Sequence, residues 1–321
     1  MSKDKTFAST GDLGDKKICF TELGPAGSNC YGFTAEGDPN SGVIVGDDSV
    51  MVVDAQATPL LASKVIEHIR GVTDKPVSHI ALTHYHAVRV LGAGAYHASQ
   101  IIMSDLAREY VAERGQQDWD SEFGRFPRLF EGHESIAGLT WPTATFSRSM
   151  RVYLGAREVQ LHYLGRGHTA GDMVVYVPDS KVMFSGDLVE YRSACYCGDA
   201  HLNDWPATLD KLVQFDMQAL VPGRGDALTD EAMIAEGVQL TRDFLSALFD
   251  SVKRSVAKKR NLKDAFDACN EAMQSRFGDF AIFEHCQPFN VARAYDEAQG
   301  IEHPRIWTAQ RDQDMWAQLN G

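Results

Sequence analysis

The strongest structural signal in the chain lies at Thr83-His84-Tyr85-His86-Ala87-Val88-Arg89. It directly follows an apolar run, residues 77–82 (VSHIAL), which predicts a buried strand, and it precedes a Gly-rich turn into a helix. Two histidines two residues apart at the end of a strand can direct both imidazoles at one point. The stretch therefore predicts a metal site, although a His-x-His pair also occurs by chance on exposed loops.

Composition narrows the class of protein. With 321 residues, 44% of them apolar, the chain can bury a large core. The net charge of −13 argues against a nucleic-acid surface, which needs clustered Lys and Arg. We expect no membrane span, because no run approaches about 18 consecutive apolar residues. The polar N-terminus and six cysteines without a Cys-x-x-Cys pair predict a reduced, cytoplasmic protein without a secretory signal.

Strands and helices alternate through most of the chain. Short β-type runs begin at Lys17, and a second β series begins at Ala144. Helical periodicity predicts helices over about residues 59–70, 90–98, 105–114 and 206–215. This order is typical of a layered α/β fold. Residues 115–142 contain aromatics without a clear period, which predicts a lid or inserted subdomain, or else a packed surface loop.

The chain ends differ from this central part. Residues 1–16 predict a flexible leader, and residues 17–228 an α/β domain. Residues 229–321 predict a helical extension that packs on the domain or forms a homodimer interface. Its predicted helices are a first one after Thr229, then residues 262–277 and about 288–298, followed by a tail with Trp307 and Trp316.

Further motifs follow in a fixed order. They are Gly165-Arg166-Gly167-His168-Thr169-Ala170-Gly171-Asp172, then Phe184-Ser185-Gly186-Asp187, then Pro222-Gly223-Arg224-Gly225. Together with the His-x-His stretch, this series resembles the metallo-β-lactamase superfamily over roughly residues 17–235. The resemblance implies a four-layer αββα sandwich with the helical extension attached.

The resemblance also implies a ligand set. His84, His86 and His168 match three metal ligands of the superfamily, and Asp187 matches the aspartate that usually bridges two metals. Asp54 matches an early aspartate that supports the metal-binding loop by hydrogen bonds. The usual second-metal ligands are replaced by Val88, Arg89 and Arg224, and neither valine nor protonated arginine can ligate. We therefore predict one divalent metal per chain, with zinc preferred over iron or manganese.

The two arginines have two interpretations. Arg89 and Arg224 place positive charge where a second metal would lie, so they could bind an anionic substrate group bidentately. Alternatively, an arginine only forms a salt bridge to Asp187 or Asp226. Further candidates for the pocket lie in the loop after Asp187 and in the extension: Glu190, Tyr191, Arg192, Cys195, Cys197, His201 and His285.

Three functions are compatible with these residues. The first is a metal-dependent hydrolase in which a metal-bound hydroxide attacks an ester, amide, lactone or thioester bond of a small anionic molecule. In this hypothesis Asp187 orients the water or accepts its proton, His201 is a general-acid candidate, and Tyr191 and Arg192 contact substrate. The second is a mononuclear iron oxygenase, and the third is a non-catalytic binding protein. The resemblance implies small-molecule catabolism and leaves the substrate open.

Overall fold

The computed structural model describes residues 17–35 and 37–320, so the predicted leader lies outside the described residues. Two β-sheets form the centre of the molecule. The first sheet has seven strands in sequential order: β1 (Ile18–Glu22), β2 (Cys30–Ala35), β3 (Ser41–Val45), β4 (Val50–Val53), β5 (Val77–Ala81), β6 (Gln100–Ser104) and β7 (Ala144–Phe146). Strands β1 to β4 are antiparallel, and β4 to β7 are parallel.

The second sheet has five strands: β8 (Ser149–Leu154), β9 (Arg157–Tyr163), β10 (Met173–Val177), β11 (Val182–Gly186) and β12 (Ala219–Pro222). It runs in the order β12-β11-β10-β9-β8 and is antiparallel except for the β11–β12 pair. One buried apolar cluster joins the facing sides of the two sheets, for example Ile44 and Met51 with Leu161 and Val175. The predicted α/β sandwich is therefore confirmed.

Helices cover the outer faces of the sheets. Those of the α/β part are α1 (Pro59–Val72), α2 (Ala87–Val90), α3 (Asp105–Arg125) and α4 (Trp205–Leu212), and Leu91–Tyr96 form a 3₁₀ helix after α2. Helix α1 shows how locally the sequence determines these elements. Thr58 accepts a hydrogen bond from the Leu61 N–H (3.1 Å), Pro59 occupies the first turn, and Ala62, Val65 and Ile69 form the buried side.

The C-terminal region is helical, as predicted, and contains α5 (Glu231–Ala257), α6 (Leu262–Phe277), α7 (Phe283–Ala298) and α8 (Ala309–Asn320). Asp230 and Asn261 cap α5 and α6 through the N–H groups of Met233 and Asp264, both at 2.8 Å. Helix α5 packs against α6 and α7. Among the described helices, none combines the length and apolarity that a bilayer crossing requires.

Several predicted boundaries were wrong. Helix α3 continues to Arg125 instead of ending near residue 114, so the first part of the predicted 115–142 loop is helical. Helix α7 starts at Phe283, with Pro288 inside it, because the left-handed Ile282 (φ 57°) provides the helix start that the sequence had assigned to the proline. The predicted tail contains helix α8.

Candidate metal centre

The His84 loop leaves the carboxyl end of β5 and enters α2. Asp54, directly after the neighbouring strand β4, holds the conformation of this loop. It accepts hydrogen bonds from the Thr83 N–H and the Thr83 hydroxyl, both at 2.8 Å. Asp54 itself has a left-handed backbone (φ 59°). Burial raises the pKa of Asp54 to about 6, although the Arg89 charge and the bonds from Thr83 act in the opposite direction.

Three imidazoles meet at one point. His84 and His86 lie on the loop after β5, and His168 lies on the loop between β9 and β10. One ring nitrogen from each histidine falls in a group whose members are all within 4.8 Å of one another. Ring centroids are 4.8 Å apart for His84 and His86, 4.6 Å for His84 and His168, and 4.8 Å for His86 and His168. All three residues are buried.

The outward nitrogen of each ring has a hydrogen-bond partner. His84 Nδ1 lies 3.0 Å from the Thr83 hydroxyl, which already donates to Asp54, so this imidazole is the donor. His168 Nδ1–H donates to the Tyr196 carbonyl (2.8 Å). His86 Nε2–H donates to Asp199 Oδ2 (3.2 Å). These partners direct the other nitrogen of each ring inward, where it can bind a metal once it carries no proton.

The inward nitrogens surround a point that suits a cation. His84 Nε2 has no hydrogen-bond partner in the described part of the chain, and His86 Nδ1 lies only 3.0 Å from His168 Nε2. Burial lowers the pKa of His168 to about 3 and that of His84 well below its usual value. Burial opposes charge on His86 as well, but Asp118 and Asp199 raise its pKa to about 9. These buried nitrogen donors, each oriented from outside, fit a divalent metal.

Asp187, at the end of β11, lies beside this group. Its Oδ2 is 3.6 Å from His168 Nε2 and 4.0 Å from His84 Nε2. Arg89 Nη2 donates to Oδ1, and Arg224 Nη1 donates to Oδ2 (2.8 Å). Burial alone would raise the pKa of Asp187, but the two guanidiniums hold it well below its usual value.

The two arginines have different surroundings. Arg89 is fully buried and also donates to the carbonyls of Asn40 (2.9 Å) and Gly223 (2.7 Å). Arg224 also donates to Glu190 Oε1 (3.0 Å). Of the two interpretations open from the sequence, the salt bridge to Asp187 is therefore present, and both arginines form it.

A narrow cavity of about 20 Å³ opens beside the metal centre. Its walls come from the histidine loop, from the end of α3 and from the start of α7. The lining residues are His86, Val88, Glu122, Arg125, Phe126, Leu129, Asp187, Tyr196, Arg224, Ile282, His285 and Cys286. His285 from the C-terminal helices thus reaches the cavity, and Arg224 lines it whereas Arg89 does not.

Other residues proposed from the sequence lie elsewhere. Tyr191 and Arg192 line a separate surface groove, where the Tyr191 hydroxyl (3.3 Å) and Arg192 Nη2 (3.2 Å) donate to Glu236. His201 is buried behind the His168 loop, where its backbone N–H donates to the Gly167 carbonyl (2.8 Å). Burial lowers the pKa of its imidazole to about 4. None of these three residues lines the cavity beside the metal centre.

Sequence reasoning missed the acidic residues around His86. On α3, Asp118 accepts the Ala87 N–H (2.8 Å) and Glu122 accepts the Val88 N–H (3.1 Å), so two carboxylates bind the start of α2. Asp199 accepts hydrogen bonds from His86, from the Tyr85 hydroxyl (2.8 Å) and from Arg114 Nη1 (3.0 Å). His86, Asp118 and Asp199 also lie close enough to hold a metal. Because these protein donors already use the carboxylates, we interpret Asp118 and Asp199 as support for His86.

Comparison with known proteins agrees with this geometry. The chain is 22% identical over 251 residues to a linear primary-alkylsulfatase from Pseudomonas sp. (strain ATCC 19151), which covers 67% of this chain and only 47% of that protein. It is 24% identical over 199 residues to a metallo-β-lactamase type 2 from Bacillus sp. (strain 170), covering 60% of this chain and 69% of the relative. A solved metallo-β-lactamase from Pontibacter korlensis superposes with a TM-score of 0.55 at 20% identity, covering 72% of this chain and 99% of the other, which shows a shared fold.

A sequence profile of the metallo-β-lactamase superfamily matches residues 34–224, which is more than half of the chain and includes every residue of the metal centre. Members of this superfamily are mostly metal-dependent hydrolases that bind divalent ions such as zinc. The profile match, the shared fold and the cluster of three histidines agree, and the chain belongs to the metallo-β-lactamase superfamily.

Proposed function

We propose that the protein is a hydrolase that uses a single divalent metal held by His84, His86 and His168, with Asp187 Oδ2 beside it. The observation that carries this proposal is the convergence of three buried ring nitrogens, of which His84 Nε2 has no hydrogen-bond partner in the described part of the chain. A metal would supply the partner that His84 Nε2 lacks and would replace the proton between His86 Nδ1 and His168 Nε2, which lie 3.0 Å apart. The hydrolases among the relatives support the same class of reaction.

Single-metal use follows from the residues beside Asp187. In place of further ligands stand Val88, Arg89 and Arg224, and the Arg89 guanidinium is bonded to Asp187 and to two backbone carbonyls. An arginine remains protonated in proteins and cannot ligate. Three imidazoles with a carboxylate favour zinc, and they also accommodate iron or manganese.

When bound, a divalent metal supplies a Lewis acid that polarises an ester oxygen and acidifies water. The residues of the chain then orient the reactants. Asp187 stays ionised between two guanidiniums, so it accepts a hydrogen bond from water and orients it. The same pairing makes Asp187 a weak base. We therefore propose that Asp187 orients the water and does not accept its proton.

Substrate binding is proposed at the cavity. Arg224 lines it next to apolar side chains such as Val88 and Leu129, which suits a small molecule with an apolar body and an anionic group. One relative is named as an alkylsulfatase. Alkyl sulfates therefore belong in the substrate panel beside carboxylic esters, lactones and thioesters.

Metal analysis tests this proposal. We expect plasma mass spectrometry to find about one zinc per chain in wild type and almost none in His168→Ala. His162→Ala is the matched control, because His162 lies on β9 and contacts Gln160 (3.0 Å). Two metals per chain, or none after reconstitution, would contradict the proposal. One iron with oxygen uptake would instead favour the oxygenase.

A further inference from the structure

Arg125 is a second guanidinium in the cavity, and no role has been assigned to it so far. It is the last residue of α3, and only 3% of its surface is exposed. It lines the same cavity as His86, Asp187 and Arg224. A buried arginine beside a reaction site needs an electrostatic partner.

Two aromatic rings hold this guanidinium in place. Its central carbon lies 4.7 Å from the ring centroid of Tyr196 and 4.2 Å from that of Phe289. The electron-rich faces of these rings attract a desolvated guanidinium. They hold the guanidinium in place without using its N–H groups as hydrogen-bond donors.

The hydrogen-bond donors of Arg125 are only partly used by the described residues. Nη1 lies 3.5 Å from His285 Nε2, at the limit of a hydrogen bond, and Nε has no partner. The ion pair from Nη2 to Glu122 Oε1 spans 3.6 Å, which exceeds hydrogen-bond distance. In contrast, Arg89, Arg114 and Arg224 each donate directly to a carboxylate.

The acidic groups of the cavity are already engaged. The second oxygen of Glu122 accepts the Val88 N–H (3.1 Å), and Asp187 is bonded to Arg89 and Arg224. Around Arg125 the wall is mainly apolar, with Phe126, Leu129 and Ile282. An incoming anion would therefore find donors at Arg125 and little competition from solvent.

We propose that Arg125, with His285 beside it, binds the terminal anionic group of the substrate, a carboxylate, sulfate or phosphate, while the bond to be cleaved lies at the three histidines. Arg125 is thus a specificity-determining residue. The inference deepens the proposed function and depends on it only in treating the anion as part of a substrate. Arg125 would therefore favour substrates that combine an apolar body with an anionic end.

Sulfate binding tests this role directly. We would titrate metal-loaded protein with sodium sulfate in a calorimeter, for wild type, Arg125→Met and Arg128→Met. Arg128 is a matched control, because it pairs with Asp38 (3.0 Å) and does not line the cavity. We expect saturable binding by wild type and the control. Because hydrogen bonds to a charged group are lost, Arg125→Met should weaken binding at least about tenfold.

A second variant keeps the test decisive if Arg125→Met does not fold. Arg125→Lys keeps the charge but loses the planar fork, so its sulfate affinity should also fall while its unfolding midpoint stays near that of wild type. The inference would be overturned if wild type showed no saturable binding, or if a folded Arg125 variant bound sulfate as wild type does. Repeating the titration on chelated protein separates the two proposals, since Arg125-dependent binding should persist without metal.

Discussion

Asp199→Asn should weaken metal binding although Asp199 does not face the metal. Its Oδ2 accepts from His86 Nε2 and from the Tyr85 hydroxyl, and its Oδ1 accepts from Arg114 Nη1. An asparagine offers one oxygen and one NH₂ group. In either orientation the NH₂ group faces a donor, so at least one hydrogen bond becomes a repulsive contact.

The expected size follows from what the carboxylate does. It fixes the His86 tautomer that directs the Nδ1 lone pair inward, and removing such a partner of a ligating histidine typically lowers metal affinity about 10–100-fold. That corresponds to about 1.4–2.7 kcal/mol of binding free energy. The repulsive contact should also reduce the free energy of unfolding of metal-free protein by about 1–3 kcal/mol.

Competition with a chromogenic zinc chelator measures this effect. Asp204→Asn is the control, because Asp204 lies in the same loop but forms a partly exposed ion pair with Arg166 (2.6 Å). We expect the control to bind zinc as wild type does. An Asp199→Asn protein that folds and binds zinc with unchanged affinity would refute the role of the carboxylate in orienting His86.

Three further predictions concern the stability of the site and the accessibility of the cysteines. Arg89→Met should lower the free energy of unfolding by about 1–3 kcal/mol in urea titrations, because it removes the arginine donor to buried Asp187 Oδ1 and to the Asn40 carbonyl; a loss near zero would contradict this. Gly223→Ala should cost about 1–3 kcal/mol and reduce bound zinc, since the new Cβ would lie 2.9 Å from the Asp187 Cα; unchanged stability and metal content would refute it. A soluble thiol reagent at mildly alkaline pH should modify half-buried Cys19 first, because burial raises the pKa of the other cysteines (Cys30, Cys195, Cys197, Cys269 and Cys286). Rapid labelling of all six would show that the core opens.

Local sequence patterns predicted many of the residues that meet at the candidate metal centre. The apolar strand before His84, the Gly-rich loop around His168 and the strand before Asp187 are continuous segments. His84 and Asp187 follow strand ends, and His168 lies within its loop. The contact of Arg89 and Arg224 with Asp187 was one of two open alternatives, because both arginines could be aligned with known motif positions. Residues near a recognised motif were thus the predictable ones.

Helix α3 shows why the other residues were missed. Its buried side includes Arg114, Asp118, Glu122 and Arg125, which recur at helical spacing but are charged. A search for apolar periodicity treats such a segment as a loop, although burial here depends on paired charges. Asp199 had no signal either, because a single aspartate in a Gly-containing loop is ordinary. His285 was predicted only as a further pocket candidate, because the expected helix start at Pro288 left it outside a helix.

The pairing of Asp187 with Arg89 and Arg224 has a consequence for how the protein handles metal loss. A chelator would remove the bound metal but would leave both arginines in place. The positive charge beside Asp187 therefore does not depend on the metal. Only the three imidazoles then change partners between the metal-free and metal-loaded forms. Zinc binding should accordingly follow a one-site binding curve. The metal-free protein should take up zinc from a zinc buffer without a rearrangement of the residues around Asp187.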